Sequence, residues 1–278
     1  MRYMTLKDGS VYNFDSMKVM GILNATDDSF FPGSRVGSVE NATNIAMNMI
    51  ENGADILDVG GESTRPGSDP VSEEQEIGRV VPVIRGIREK NKDILISVDT
   101  YRAKTAEGAI KAGADIINDI SAMTFDERMA DVVVKYNVPV ILMHIKGSPK
   151  NMQKSPHYDD VVGEVKDFFK ERIEYAISKG IQRDKLILDP GIGFGKNFEH
   201  NMELIRKIDS FYDFDLPVLL AVSRKSSIGA ALGNLPVEER LEGTIAVSCF
   251  AAMKGVDMVR VHDVLENKRA ITMIEVLK

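Results

Sequence analysis

The chain has 278 residues, 44% hydrophobic and 28% charged, which suits one large or two modest globular domains with an ample core. Its formal net charge of −7, without basic blocks, argues against broad nucleic-acid binding, so any bound anion has to be held by local Arg and Lys. The opening residues "MRYMTLKDGSVY" hold no long apolar h-region, and nothing approaches the roughly eighteen apolar residues of a membrane span, so a cytoplasmic protein is expected.

In chain order, short β-branched runs alternate with longer segments of helical period. The candidate strands are "KVMGILN" at 18, "DILDVG" at 55, "ILISVDT" at 94, "DIINDI" at 115, "PVILMH" at 139, "KLILDP" at 185, "PVLLAVS" at 217 and "DMVRVH" at 257. Between most of them lie amphipathic stretches. One covers 39–52, with Ile45, Met49 and Ile50 on one side and Gly53 placed to end it. Another covers 72–90 and opens with the capping box Ser72-Glu73-Glu74-Gln75. The joint "GADIL" at 53 recurs as "GADII" at 113 and "GVDMV" at 255, each a glycine that ends a helix before an acid and a strand. The single cysteine, Cys249, sits in the apolar run "TIAVSCFAAM" and is expected to be a buried structural thiol, which leaves no disulfide framework.

A helix after almost every strand implies parallel pairing. Eight strands with no Pro/Gly/Ser-rich linker dividing them predict one domain over 1–278, a single (β/α)8 TIM barrel rather than an open doubly wound sheet. Nearly every strand then ends on a group that can hydrogen-bond or carry charge: Asn24, Asp58, Asp99, Asn118, His144, Asp189, Ser223 with Arg224 and Lys225, and Arg260 with His262. An isolated acid or amide there reads as a cap for the next helix. Eight in succession read as a site at the C-terminal ends of the strands.

The stretch "LILDPGIGFGK" at 186 looks at first like a phosphate loop, but its spacing fits neither the P-loop nor the dinucleotide fingerprint. That makes Asp189 the residue to explain. Asp99, Asn118, Asp189 and Lys225 would set acceptors and donors around one flat polar heterocycle, with a carboxylate suited to a paired N–H edge. Arg65, Arg260 and His262 could gather an anionic group, the last two lying at the end of strand eight, where barrel enzymes often keep a phosphate. Spacing alone does not name the ring.

The blocks "GILNATDDSF" at 21, "GGESTRPGS" at 60, "SVDT" at 97, "NDISA" at 118, "MHIKGSPKNMQ" at 143, "LDPGIGFGK" at 188, "SRKS" at 223 and "RVHDV" at 260 resemble, in order and over almost the whole chain, the dihydropteroate synthases of folate biosynthesis. The resemblance implies a barrel that joins 6-hydroxymethyl-7,8-dihydropterin pyrophosphate to p-aminobenzoate and releases pyrophosphate, with Mg²⁺ and as a homodimer. It places the pterin among Asp99, Asn118, Asp189 and Lys225, with Met143 and the Arg260 side chain against its faces. Pyrophosphate falls to Asn24, Arg65, Arg260 and His262, with Asn24 also near the metal. For p-aminobenzoate the matching positions are Thr64, Pro66, Phe194 and Ser226.

The aniline amine is a poor nucleophile, so activation of the leaving group and a loose, SN1-like transition state are expected, with no obvious general base. His144 ends a strand and is read as a brace for the pocket. His157 and His200 are read as exposed. One departure stands out. The family's first loop resembles "NxTPDSFSDGG", whereas this chain has "NATDDSFFPGS", with Asp27 in place of proline and Pro32 in place of a second acid, leaving Asp28 as a substitute. Two other readings are a non-catalytic pterin-binding paralogue and a methyltetrahydrofolate:corrinoid methyltransferase. The latter has no need of "ESTRPG" and "SRKS" as an anion clamp.

Overall fold

A computed structural model describes residues 2–25, 35–64 and 67–278. Arg65 and Pro66, and Asp27, Asp28 and Pro32 of the altered first loop, lie outside the described residues.

A two-stranded antiparallel hairpin, β1 (Tyr3–Thr5) and β2 (Val11–Asn13), precedes the barrel. The barrel strands are β3 (Lys18–Asn24), β4 (Ile56–Gly60), β5 (Leu95–Asp99), β6 (Ile116–Asp119), β7 (Val140–Met143), β8 (Leu186–Asp189), β9 (Leu219–Leu220) and β10 (Met258–Val261). They pair in parallel in the order β8-β7-β6-β5-β4-β3-β10-β9. A parallel bridge between Leu188 and Val218 brings β9 back beside β8, so the sheet closes. Each candidate strand corresponds to one of these eight, and the barrel is the expected one.

The strand alternation builds the site. One inward residue from each strand, Met20, Ile56, Leu95, Ile116, Ile141, Ile187, Leu219 and Met258, joins Met4 and Phe14 of the N-terminal segment in an apolar plug. Successive strand residues point to opposite faces, so the residues two further along also point inward. These are Ile22, Asp58, Ser97, Asn118, Met143, Asp189, Ala221 and Arg260. The next pair of steps reaches Asn24, Asp99, Ser223 and His262. The polar groups therefore stand on a dry floor. The intervening residues, such as Val19, Leu57, Val98, Leu142, Leu188 and Val259, face outward into the main core beneath the helices.

The hairpin is absent from the candidate strands, although "DGS" at 8 is a turn signal between "YMTL" and "VYN". Buried Lys185 donates to the carbonyls of Thr5 at 2.9 Å and Leu6 at 3.1 Å, so the hairpin is pinned across the N-terminal mouth of the barrel.

Among the helices, α1 (Arg35–Glu51) and α2 (Glu73–Lys90) match the two amphipathic stretches. The capping box of α2 is present, with Ser72 accepting from the Gln75 N–H and Gln75 accepting from the Ser72 N–H. The stripe of α1 differs from the expected one. Ala42 and Ala46 are buried with Met49 and Ile50 packed behind them, while Ile45 is exposed. Small alanines let the helix axis approach the sheet, and Ile45 lies off that line. Further along run α3 (Ala103–Ala112), α4 (Arg128–Tyr136), α5 (Val161–Ser178), α6 (Phe198–Arg206), the short α7 (Ser226–Ala231), α8 (Leu241–Lys254) and α9 (Val264–Leu277).

Cys249 on α8 is only half-buried, which corrects the expectation of a core thiol. The inward face of α8 is made of Thr244, Ser248, Ala251 and Ala252, and Cys249 lies one position round from it.

Candidate active site

The centre of the site is Arg260 on β10. Its Nη2 donates to Asp99 Oδ2 at 2.6 Å and its Nε to Asp58 Oδ2 at 2.5 Å. Asp58 Oδ2 also accepts from Asn118 Nδ2 at 3.1 Å. Four strands, β4, β5, β6 and β10, thus meet through one guanidinium and one carboxylate. Asp58 and Asn118 are buried, and Asp58 Oδ1 and Asn118 Oδ1 have no hydrogen-bond partner among the described residues. Unpartnered buried acceptors carry the full cost of leaving water, so they mark a place for donors brought by a ligand. Burial pushes the Asp99 carboxyl up, while Arg260 draws it back down.

Asp189, at the end of β8, is buried and accepts from the Gly191 N–H through Oδ1 at 2.8 Å. It does not cap the next helix, because Asn197 does so by accepting from the His200 N–H at 2.8 Å. Burial pushes Asp189 up, with Lys225 as the main opposing charge. Lys225 is pulled down to about 8 by its own burial against the pull of Asp189. Its ammonium donates to the Ile192 carbonyl and lies 4.6 Å from the centre of the Phe194 ring. Phe194 is half-buried and packs with Met143, Ile120, Ile145 and Met152, so one apolar wall carries Met143 and the phenyl edge together.

At the end of β10, His262 donates its backbone N–H to Ser223 Oγ at 3.1 Å, and its Nδ1 lies 3.0 Å from the same oxygen. Arg224 is committed elsewhere, gripping Asp263 through Nε and Nη2 at 2.8 and 2.9 Å. Asn24 is exposed at the end of β3, in register with Gly60. Thr64 is half-buried, and Ser226 is exposed in the first turn of α7. Arg260 joins Asp99 to Asp58, Asp58 joins Asn118, Lys225 is brought onto Phe194, and no hydrogen bond joins Thr64 or Ser226 to them among the described residues.

Asp58 and Lys196 carry more than their positions suggested. By sequence Asp58 is only one strand end among eight, yet it joins Arg260 to Asn118. Lys196 directly follows the glycine turn and is not among the candidate residues. It is buried, with Nζ donating to the carbonyls of Gly191 at 2.9 Å and Phe194 at 3.0 Å and lying 2.8 Å from His144 Nδ1. A lysine directly after three alternating glycines was the available signal. His144 is buried as a brace, His157 is exposed, and His200 is half-buried within the α6 cap.

Residues 20–262 match the pterin binding enzyme family. A dihydropteroate synthase from Clostridium beijerinckii is 49% identical over 260 residues, covering 93% of each chain. The Yersinia pestis dihydropteroate synthase, solved with a sulfonamide drug complex, superimposes with a TM-score of 0.91 at 41% identity over 99% of this chain and 98% of its own. The Xanthomonas albilineans dihydropteroate synthase, in complex with 7,8-dihydropteroate, gives 0.88 at 37% identity over 99% and 98%. A barrel whose mouth gathers acids, an amide and a buried arginine above an apolar floor is the pterin-binding class of enzyme. Within it, the chain belongs to the dihydropteroate synthases.

Proposed function

We propose that this site condenses 6-hydroxymethyl-7,8-dihydropterin pyrophosphate with p-aminobenzoate through the residues assigned above. The observation that carries the assignment is Arg260, which holds Asp58 and Asp99 together at the strand ends beside the unpartnered acceptor of Asn118. Asp99, Asn118 and Asp189 take the ring N–H edge, and Lys225 donates to a ring acceptor. Met143 and the Arg260 stem cover the ring faces. Arg260, Arg65, His262 and Asn24 receive the pyrophosphate, and Thr64, Pro66, Phe194 and Ser226 receive the aminobenzoate.

In the reaction the bond from the pterin methylene carbon to the pyrophosphate oxygen breaks, with its electron pair leaving on pyrophosphate. The aniline nitrogen then bonds to that carbon and gives up a proton to solvent water. Fixed cations at the leaving group act where charge grows, which favours a loose transition state. The acids beneath the ring favour the positive charge left on its carbon.

Asn24 is the residue that would hold Mg²⁺. Its exposed amide oxygen fits a hard cation that keeps several waters and substrate oxygens, and no cluster of three His, Cys, Asp or Glu side chains forms a cage among the described residues. Bound Mg²⁺ would supply charge to the pyrophosphate oxygens.

A second copy of the chain is the partner that α8 and α9 suit. Helix α8 buries Thr, Ser and Ala while Met253 is exposed, as are Met273, Val276 and Leu277 of α9, and Phe250 lines an apolar cavity with Phe198 and Met202. Apolar surface of this kind marks an association face. No helix among the described residues is long and apolar enough to cross a membrane, and the cytoplasm is the compartment proposed.

The assay is pyrophosphate release with both substrates. Release that depends on p-aminobenzoate supports the reading, and pterin binding without turnover replaces it with a non-catalytic binding role.

A further inference from the structure

We propose that Asp58 is a positioning residue that sets both Arg260 and Asn118, and so ties the pyrophosphate subsite to the ring subsite. The inference rests on the assignment of those two subsites made above.

Asp58 lies in the middle of β4, one strand step below the rim, with its side chain fully buried. A single oxygen, Oδ2, accepts from Arg260 Nε and from Asn118 Nδ2. Each contact settles an orientation that the partner could otherwise change. Arg260 has five N–H donors, and anchoring Nε to a fixed carboxylate while Nη2 meets Asp99 leaves Nη1 with no hydrogen bond among the described residues. That end is the one left to meet an anion. Asn118 can present either its oxygen or its nitrogen to the site. Nδ2 is used on Asp58, which turns Oδ1 out as an unpartnered acceptor for a ring N–H. A neutral or displaced acceptor at 58 cannot hold both donors with a charge-assisted bond. Any donor that a ligand brings to the unpartnered Asp58 Oδ1 is left in place by Asp58→Asn, which keeps an acceptor oxygen there and changes only the Oδ2 end that holds Arg260 and Asn118.

Charge and position oppose each other here, which makes the inference testable. Removing a buried negative charge near the anion side should by itself tighten pyrophosphate binding. Releasing Arg260 from its anchor should weaken it. The experiment measures binding of pyrophosphate and of 6-hydroxymethylpterin separately, by calorimetry, to the parent enzyme, Asp58→Asn, Arg260→Ala, Asn118→Ala and the two double variants that combine Asp58→Asn with each.

The expected result is crossed. In the parent background Asp58→Asn weakens both probes by about fivefold or more, the loss typical of a misplaced charge-assisted contact. In the Arg260→Ala background the same change leaves pyrophosphate affinity unchanged or raises it, and still weakens the pterin. In the Asn118→Ala background it no longer weakens the pterin. The inference is overturned if Asp58→Asn tightens pyrophosphate in every background, which is charge alone, or weakens it by the same factor in every background, which is a general structural loss. If Asp58→Asn does not fold, Asp58→Glu carries the same comparison, since it keeps the charge and moves the oxygen by one methylene. A parent enzyme that binds neither probe overturns the subsite assignment, and this inference with it.

Discussion

Lys196 Nζ lies 2.8 Å from His144 Nδ1, with both side chains buried. The lysine joins the end of β7 to the turn at 191–195, because the same Nζ also donates to the Gly191 and Phe194 carbonyls. Burial drives Lys196 well below its ordinary range, and burial followed by the nearby Lys196 drives His144 down to about 2. Lys196→Met keeps most of the volume but leaves three acceptors without their donor, at a cost of about 1 to 3 kcal/mol for each one left dry. A denaturant midpoint that does not move would refute that role. The imidazole makes a pH prediction of definite sign. Its folded pKa is depressed below 6.5, so below that pH the unfolded chain binds a proton that the native chain refuses. Stability from this group is therefore present above pH 6.5 and is lost as pH falls toward about 2. In His144→Gln the fall in melting temperature between neutral and mildly acidic pH should be shallower than in the parent.

The glycines of the turn should differ sharply in what they tolerate. Gly191 has φ of +67°, and a Cβ there would lie 1.9 Å from the His144 carbonyl oxygen, which is backbone and cannot move aside. Gly191→Ala should cost more than about 4 kcal/mol or fail to fold. Gly193, with φ of +84°, would place its Cβ 3.4 Å from Lys225 Cδ, an ordinary contact with a flexible stem. Gly193→Ala should cost only the left-handed backbone penalty, about 1 to 2 kcal/mol. Urea melts of the two variants compare them directly, and equal losses would remove the close approach of Gly191 to β7 as the reason for its glycine.

The barrel was legible because period-two alternation and helix caps are local signals, as in "KVMGILN" and the Ser72 box. The N-terminal hairpin was missed because strands of three residues carry too little alternation to register, and its reason for existing is the far side of the barrel. Spacing alone puts Ile45 inward, whereas packing distance to the sheet selects Ala42 and Ala46. The list of strand-end polar groups found Asp99, Asn118, Asp189 and Arg260, since each ends a strand. It could not show that Arg260 is shared by Asp58 and Asp99, or that Lys196 is buried, because those contacts span 202, 161 and 52 residues of chain.

Chelation should separate catalysis from folding. If Mg²⁺ is held by Asn24 and mainly by the substrate's own oxygens, EDTA should abolish pyrophosphate release while leaving the melting temperature of the substrate-free protein unchanged. Equal turnover in EDTA and in Mg²⁺ would eliminate the metal from the reaction. A large drop in melting temperature would instead indicate a structural ion.

Asp189→Asn tests whether this carboxylate reads a ring edge. The Gly191 N–H is met through Oδ1, and an asparagine oxygen can keep that bond, so the turn should survive. The other oxygen becomes an NH₂ group, which sets a donor against the donors of the pterin edge. A mismatched buried pair of that kind costs about 1 to 3 kcal/mol. If Asp189 only stabilised the turn, the variant would bind like the parent. If it faced phosphate, removing its charge would tighten pyrophosphate binding. Lys225 also loses its principal counter-charge, so burial should drive its pKa further down and weaken its donation at alkaline pH. Calorimetric titration with 6-hydroxymethylpterin and with pyrophosphate therefore separates the readings by sign. Ring recognition requires a pterin affinity about fivefold or more below that of the parent, with pyrophosphate affinity little changed. Undiminished pterin binding would return Asp189 to a purely structural role.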